Sequence, residues 1–159
     1  YGAGDEKIGH SYDQQLSTAK AKKKGKEIRS AYVEAIDGLG DLLEAIKKVA
    51  EKGSIRSLDG RKIALDSPHK ALNYLLQSGA GVIAKRWMVI NQDTIKQAQI
   101  CASQLAFIHD ELQFECSREH VSELSTSLVY SALAAGEYYD MRIKIEAEAV
   151  QGKDWSTTH

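Results

Sequence analysis

The clearest pattern lies between residues 104 and 116. An apolar run, Leu105-Ala106-Phe107-Ile108, leads into His109-Asp110-Glu111, and Leu112-Gln113-Phe114-Glu115-Cys116 leads out with apolar and polar residues alternating. Alternation is the period of a strand, so the segment predicts a β-hairpin with two carboxylates at its tight turn. Elsewhere the period is helical. Residues 14–36 place Leu16, Ala19, Ile28, Ala31, Tyr32, Ala35 and Ile36 on the less polar side of one helix, and Gly38 and Gly40 break it. Leu42, Leu43, Ile46, Val49 and Ala50 continue as a second helix that stops at Gly53. Ser54 to Leu65 reads as a hairpin around Asp59-Gly60, a pair suited to a type I′ turn. Ser67 then caps a helix with Pro68 at its first position, expected to run from 68 to about 95 with Leu72, Leu76, Ile83, Trp87 and Ile90 as its buried stripe. A further helix spans Arg118 to about Ala135, and Met141 to Val150 alternates as a last strand. Helices mixed with antiparallel hairpins predict an α+β domain.

Composition narrows this picture. A chain of 159 residues with 43% hydrophobic content builds one ordinary domain with a core. Net charge is −1, yet residues 1–62 hold 13 Lys/Arg against 10 Asp/Glu, whereas residues 63–159 hold 8 against 12. The basic first part suits phosphate, the acidic second part a cation. Cys101 and Cys116 lack metal-ligand spacing and sit among apolar residues, which predicts buried free thiols in a reducing compartment. No apolar run approaches the roughly 20 residues of a transmembrane helix, and no signal peptide is recognisable, so a cytoplasmic protein with no membrane partner is expected. Tyr1 is not an initiator methionine, so the sequence is expected to be part of a longer polypeptide.

Three groups carry candidate chemistry. Asp110 and Glu111 repel one another and favour a hard divalent cation with oxygen ligands; a solvated turn would read the same way. His69, Asn73 and Gln77 recur every four residues and line one face of the predicted helix over about 12 Å, with Gly81 and Lys85 next on that face. Uncharged hydrogen-bonders in a row suit the minor-groove acceptors common to every base pair, although a wet helix face has the same spacing. Lys20, Lys22, Lys23, Lys24, Lys26 and Arg29 form a basic run opposed only by Glu27. Such a run is usually solvated surface, but counterion release also makes it a candidate for backbone phosphate.

Four blocks in order, Tyr1-Gly2-Ala3-Gly4-Asp5-Glu6-Lys7-Ile8-Gly9, Leu58-Asp59-Gly60-Arg61-Lys62, Ser67-Pro68-His69 through Asn73 and Gln77, and His109-Asp110-Glu111, resemble the C-terminal part of a family A DNA polymerase. The likeness is greatest to the branch carried by podophages and extends to Gly152-Lys153-Asp154-Trp155 and His159. It implies nucleotidyl transfer by a two-metal mechanism with Mg²⁺. Asp110 would be one of two metal-holding aspartates, and Glu111 an accessory catalytic carboxylate. His109 would position the primer, and His69, Asn73 and Gln77 would contact the primer-template. The family often has Arg where His69 stands. Tyr1 and Gly2 would lie beside the template base at the end of the fingers helix, and Arg61 would touch the DNA backbone.

The resemblance further implies one C-terminal polymerase fragment over residues 1–159, with 1–53 derived from fingers and 54–159 from palm. The second aspartate and the Arg and Lys that grip the dNTP triphosphate are not found in the sequence. Asp59 and Asp66 belong to other family blocks and do not replace them. The chain alone is therefore expected to be inactive, with a missing N-terminal polymerase portion as partner and self-association as a substitute for it. The alternative is a non-catalytic module that binds DNA or a partner. An independent metal-dependent hydrolase is disfavoured, because one Asp-Glu pair gives too few ligands.

Overall fold

The computed structural model describes residues 3–158. It mixes five α-helices with two antiparallel two-stranded sheets among these residues, as the α+β expectation requires. The chain divides into two compact units, Tyr1–Ser78 and Gly79–His159.

In the first unit, α1 (Asp5–Tyr12) packs on α2 (Thr18–Ala35). The sequence predicted one helix over 14–36. Instead α2 begins after Ser17, and α1 is an additional helix that apolar periodicity does not reveal. Glycine explains it, since Gly9 and Gly25 let the two backbones touch. A β-carbon at Gly9 would fall 1.9 Å from the Ala21 carbonyl oxygen, and Ala21 and Gly25 are the buried residues of α2. Tyr32 and Ile36, expected on the packed side, are 62% and 42% exposed.

Helix α3 (Leu39–Ala50) follows Gly38, whose φ of 74° makes the turn, and Gly53 at φ 71° ends the segment as predicted. Strands β1 (Ser54–Arg56) and β2 (Lys62–Ala64) pair with Ile55 opposite Ile63. Their loop is not the predicted type I′ turn, which needs positive φ at both central residues. Here Gly60 has it (φ 82°) and Asp59 does not, and the strands close five residues apart, with the Gly60 N–H on the Ser57 carbonyl. Ala50, Ile55 and Ala71 form this unit's core, with Ile46, Ile63, Leu65, Tyr74 and Leu75 packed against them. Pro68 opens a 3₁₀ turn, Pro68–Lys70, that runs into α4 (Ala71–Ala98). Ser67 precedes it in extended conformation but makes no side-chain capping bond, and Leu76 of the predicted stripe is 60% exposed.

The second unit holds the rest of α4, the hairpin β3 (Ala102–Ile108) and β4 (Glu111–Cys116), and α5 (Val121–Tyr138) after a 3₁₀ turn at Arg118–His120. Ile95, Ile100 and Leu124 are its buried apolar centre, joined by Ala102, Phe114, Cys116 and Leu128. Burying a side chain such as Leu124 contributes about 1.5–3 kcal/mol. Between α4 and α5, the Trp87 indole N–H donates to the Leu128 carbonyl at 2.8 Å, and the Ser127 hydroxyl donates to Asn91 Oδ1 at 2.8 Å.

Two expectations fail in this unit. Met141–Val150 forms no strand and bends at Arg142 and Ile143, because alternation makes a strand only where a partner offers a ladder. Its Ile145 packs on Gly136, where a β-carbon would meet Ile145 Cγ1 at 2.7 Å. Cys101 is exposed rather than buried, although both thiols are free and Cys116 is half-buried. No helix among the described residues is long and apolar enough to cross a membrane.

Candidate functional site

The hairpin that carries the acidic pair is built from its base. Phe114 and Cys116 pack on Ile95, Ile100 and Leu124, so the lower ladder is fixed to the second unit's core. His120 clamps the same end: the Cys101 backbone N–H donates to its Nδ1 at 3.2 Å, with the Ser117 hydroxyl 2.9 Å from that nitrogen. Sequence reasoning missed this clamp, whose only signal is a His three residues after a helix-capping Ser.

Pairing is antiparallel, with Phe107 opposite Leu112 and Ile108 opposite Glu111. The register shifts between Gln104 and Ala106, leaving Leu105 as the extra residue of a bulge, 62% exposed. A bulge bends and twists its strand, so it re-aims the tip beyond it.

Only His109 and Asp110 lie between the strands, and both are exposed. His109 takes φ 56°, the left-handed conformation that a non-glycine residue adopts at a cost of about 1–2 kcal/mol. Glu111 is half-buried at the first position of β4, where the Gln113 amide donates to its Oε1 at 2.5 Å. Gln113 was also missed; it stands two residues on, hence on the same face of the strand. The structure thus brings His109, Asp110 and Glu111 together at one hairpin tip, with one carboxylate projecting and the other held.

Oxygen donors suit a hard divalent cation, which takes six or more ligands. Among the described residues, no group of three or more His, Cys, Asp or Glu is arranged to hold a metal. In kind the donors fit; in number they do not make a metal centre.

His69, Asn73, Gln77 and Arg61 lie in the first unit, Gly81 and Lys85 in the second. His69 is exposed within the 3₁₀ turn, Asn73 is half-buried on α4 and Gln77 is exposed one turn further. The α-helical four-residue spacing therefore joins Asn73 to Gln77, while His69 precedes the α-helix. Gly81, later on α4, has no atom within 4 Å of a built β-carbon, and Lys85 is exposed. In the β1–β2 loop Arg61 grips Asp59, Nε to Oδ2 at 2.7 Å, and this hydrogen bond holds the Asp59 carboxyl below its ordinary 3.8. An Arg61 contact to DNA would have to compete with Asp59. Tyr1 and Gly2 lie outside the described residues.

Comparison with known proteins shows the family. The model of DNA polymerase family A matches residues 1–157, and the chain belongs to that family. Over its whole length it is 30% identical to the DNA-directed DNA polymerase of Enterobacteria phage T3 and 29% identical to that of Escherichia phage T7. It spans 25% of the length of each. DNA polymerase I of Aquifex aeolicus is 26% identical across 69% of the chain. Among solved structures, the polymerase domain of Pol1 from M. smegmatis, in complex with DNA primer-template and dNTP, superposes with a TM-score of 0.71. That match is 27% identical and covers 86% of this chain and 25% of the other.

Proposed function

We propose that this chain forms part of a template-directed DNA polymerase, contributing Asp110 to a two-metal nucleotidyl-transfer site completed by residues outside it. The observation that carries this reading is the hairpin tip. In a chain of this family, a two-residue loop on a core-anchored ladder holds an exposed carboxylate beside a second, hydrogen-bonded one. Two Mg²⁺ ions would favour deprotonation of the primer 3′-hydroxyl and neutralise charge on the departing pyrophosphate. The hydroxyl oxygen forms the new bond to the α-phosphorus of the dNTP as the bond to pyrophosphate breaks.

Each residue has a distinct part in this reading. Asp110 offers ligand oxygens. Glu111, oriented by Gln113, sets the field beside the reacting groups, and His109 steadies the primer backbone. Asn73 and Gln77, with His69 before them, hydrogen-bond the primer-template duplex at acceptors shared by all base pairs. Arg61 touches a backbone phosphate in exchange for Asp59, while Tyr1 and Gly2 lie by the template base. Residues 1–53 derive from the fingers and 54–159 from the palm. The partner is a polypeptide carrying the second aspartate and the triphosphate-binding Arg and Lys, and the setting is the cytoplasm in which that polymerase works. Exposed apolar side chains such as Leu76 and Leu105 support association with such a polypeptide or with a second copy.

Primer extension with Mg²⁺ and all four dNTPs tests this reading. We expect none from the chain alone. Adding an N-terminal family A portion that bears the other aspartate should restore extension to the chain, and not to its Asp110→Ala variant. Equal restoration of both would remove Asp110 from the chemistry, and extension by the chain alone would refute the incomplete site.

A further inference from the structure

The base of the acidic hairpin is closed by a side chain where a ladder would use backbone. In an antiparallel ladder, a hydrogen-bonded pair of residues exchanges two N–H to C=O bonds. Cys101 and Ser117 stand one step before the Ala102–Cys116 pair and exchange only one, the Ser117 N–H donating to the Cys101 carbonyl at 3.0 Å. The return bond is diverted. The Ser117 carbonyl accepts from the His120 N–H at 3.0 Å, and the Cys101 N–H donates to His120 Nδ1 at 3.2 Å. Cys101, Ser117 and His120 thus close a ring of hydrogen bonds in which the imidazole supplies the missing rung.

That rung depends on one proton. A backbone N–H aimed at Nδ1 requires a lone pair there, so the ring that accepts it is neutral and carries its proton on Nε2. A second proton, on Nδ1, would set two donors face to face. The Ser117 hydroxyl, 2.9 Å from the same nitrogen, can turn to accept that proton, but the Cys101 N–H cannot. Glu123 of α5 lies 3.9 Å from Nε2 and is 62% exposed, so it favours a charged ring only weakly. Cys101 before β3, Cys116 ending β4, and Arg118 and Glu119 of the same 3₁₀ turn are the other ionisable side chains of the segments that meet there.

We propose that His120 is a positioning residue whose neutral imidazole holds the hairpin base, so that acid opens the ladder at Cys101 and loosens the placement of Asp110. The link to Asp110 rests on the reading that this carboxylate serves nucleotidyl transfer. Packing of Ile100 and Ala102 holds the start of β3 to the core, and the rung between them ties it to β4. Only Ala102, Ser103 and Gln104 pair between that rung and the bulge at Leu105, so the lower ladder has few rungs to lose.

The test follows amide hydrogen exchange by NMR from about pH 8 to about pH 5, the span in which imidazoles change charge. Each rate is taken relative to the unfolded rate at the same pH. Protection of Cys101 should fall about tenfold across that span, whereas Ile95, inside α4, should keep its own. His120→Asn keeps an acceptor oxygen on the same γ-carbon and has no proton to gain, so its Cys101 protection should stay high and flat. His120→Ala should lack that protection at every pH. Primer extension with the complementing N-terminal portion gives the second reading. The activity of His120→Asn relative to the unsubstituted chain should rise about threefold by about pH 6, and this ratio cancels the titration of His109, common to both. Constant Cys101 protection in the unsubstituted chain, or a matching fall in His120→Asn, would overturn the titrating rung. An unchanging activity ratio would overturn the link to Asp110. No extension from any chain, with exchange as expected, would sink the polymerase reading and leave the rung standing.

Discussion

Gly25 lies against Asp5 so closely that a β-carbon built on the glycine would fall 1.7 Å from the Asp5 carbonyl oxygen. Glycine inside a helix ordinarily costs about 1 kcal/mol relative to alanine, so substitution should help. Here contact reverses the sign. Gly25→Ala should destabilise the first unit by about 1–3 kcal/mol through overpacking and loosen α1 from α2. Gly79→Ala on α4, where nothing lies within 4 Å of the added carbon, should stabilise by about 0.4–1 kcal/mol. Urea midpoints of the two variants check the opposite signs.

Asn91 is fully buried and accepts from the Ser127 hydroxyl. Asn91→Ala should cost about 1–3 kcal/mol, the range for a buried hydrogen bond broken on one side. A double-mutant cycle with Ser127→Ala should return a coupling energy of about 0.5 kcal/mol or more. Strict additivity would show that the bond contributes nothing.

Acid should weaken the first unit through Asp66. Hydrogen bonding by Lys70, and after it by Tyr74, outweighs partial desolvation and holds its carboxyl below the ordinary 3.8. A depressed carboxyl stabilises the fold above its unfolded value and loses that contribution as pH falls through the lower folded value. The Lys70 ammonium, raised above 10.5 chiefly by its hydrogen bond to Asp66, contributes below its unfolded value and fades as pH climbs through the folded one. Asp66→Asn should therefore flatten the stability profile below about pH 4, where the acid side chain ordinarily titrates. Thermal melts across that range read it directly.

The two thiols should react apart. Cys101 is exposed, whereas burial, then the neighbouring Cys101 and Glu123, push the half-buried Cys116 thiol above its ordinary 9.0. Thiolate is the reactive form, so at neutral pH iodoacetamide should label Cys101 first and Cys116 mainly after unfolding. Peptide mapping by mass spectrometry would show the order, and equal rates would contradict the burial of Cys116.

The hairpin at 104–116 was legible because strand period, turn chemistry and core packing agree there; the α+β class was legible for the same reason. Helix α1 was hidden because it packs through Gly9 and Gly25 rather than an apolar stripe. The 141–150 segment misled in the opposite way, its alternation being real while a strand partner is absent among the described residues. Asp59-Gly60 showed where a turn falls but not its type, since loop length depends on which residues pair. At the site, Asp110 and Glu111 stood out as adjacent acids. Gln113 and His120 did not, because their parts depend on which atoms the folded hairpin brings within reach.

With two residues between its strands, the hairpin ties the position of Asp110 to its length rather than to its composition. Substituting His109 changes what stands beside the carboxylate and leaves the ladder in place. Inserting or deleting one residue between Asp110 and Phe114 would turn the acid to the opposite face or slide Phe114 out of the core. Among descendants of this gene, a codon change at His109 would leave the ladder intact, while a single-codon gain or loss in β4 would cost the fold and the acid together.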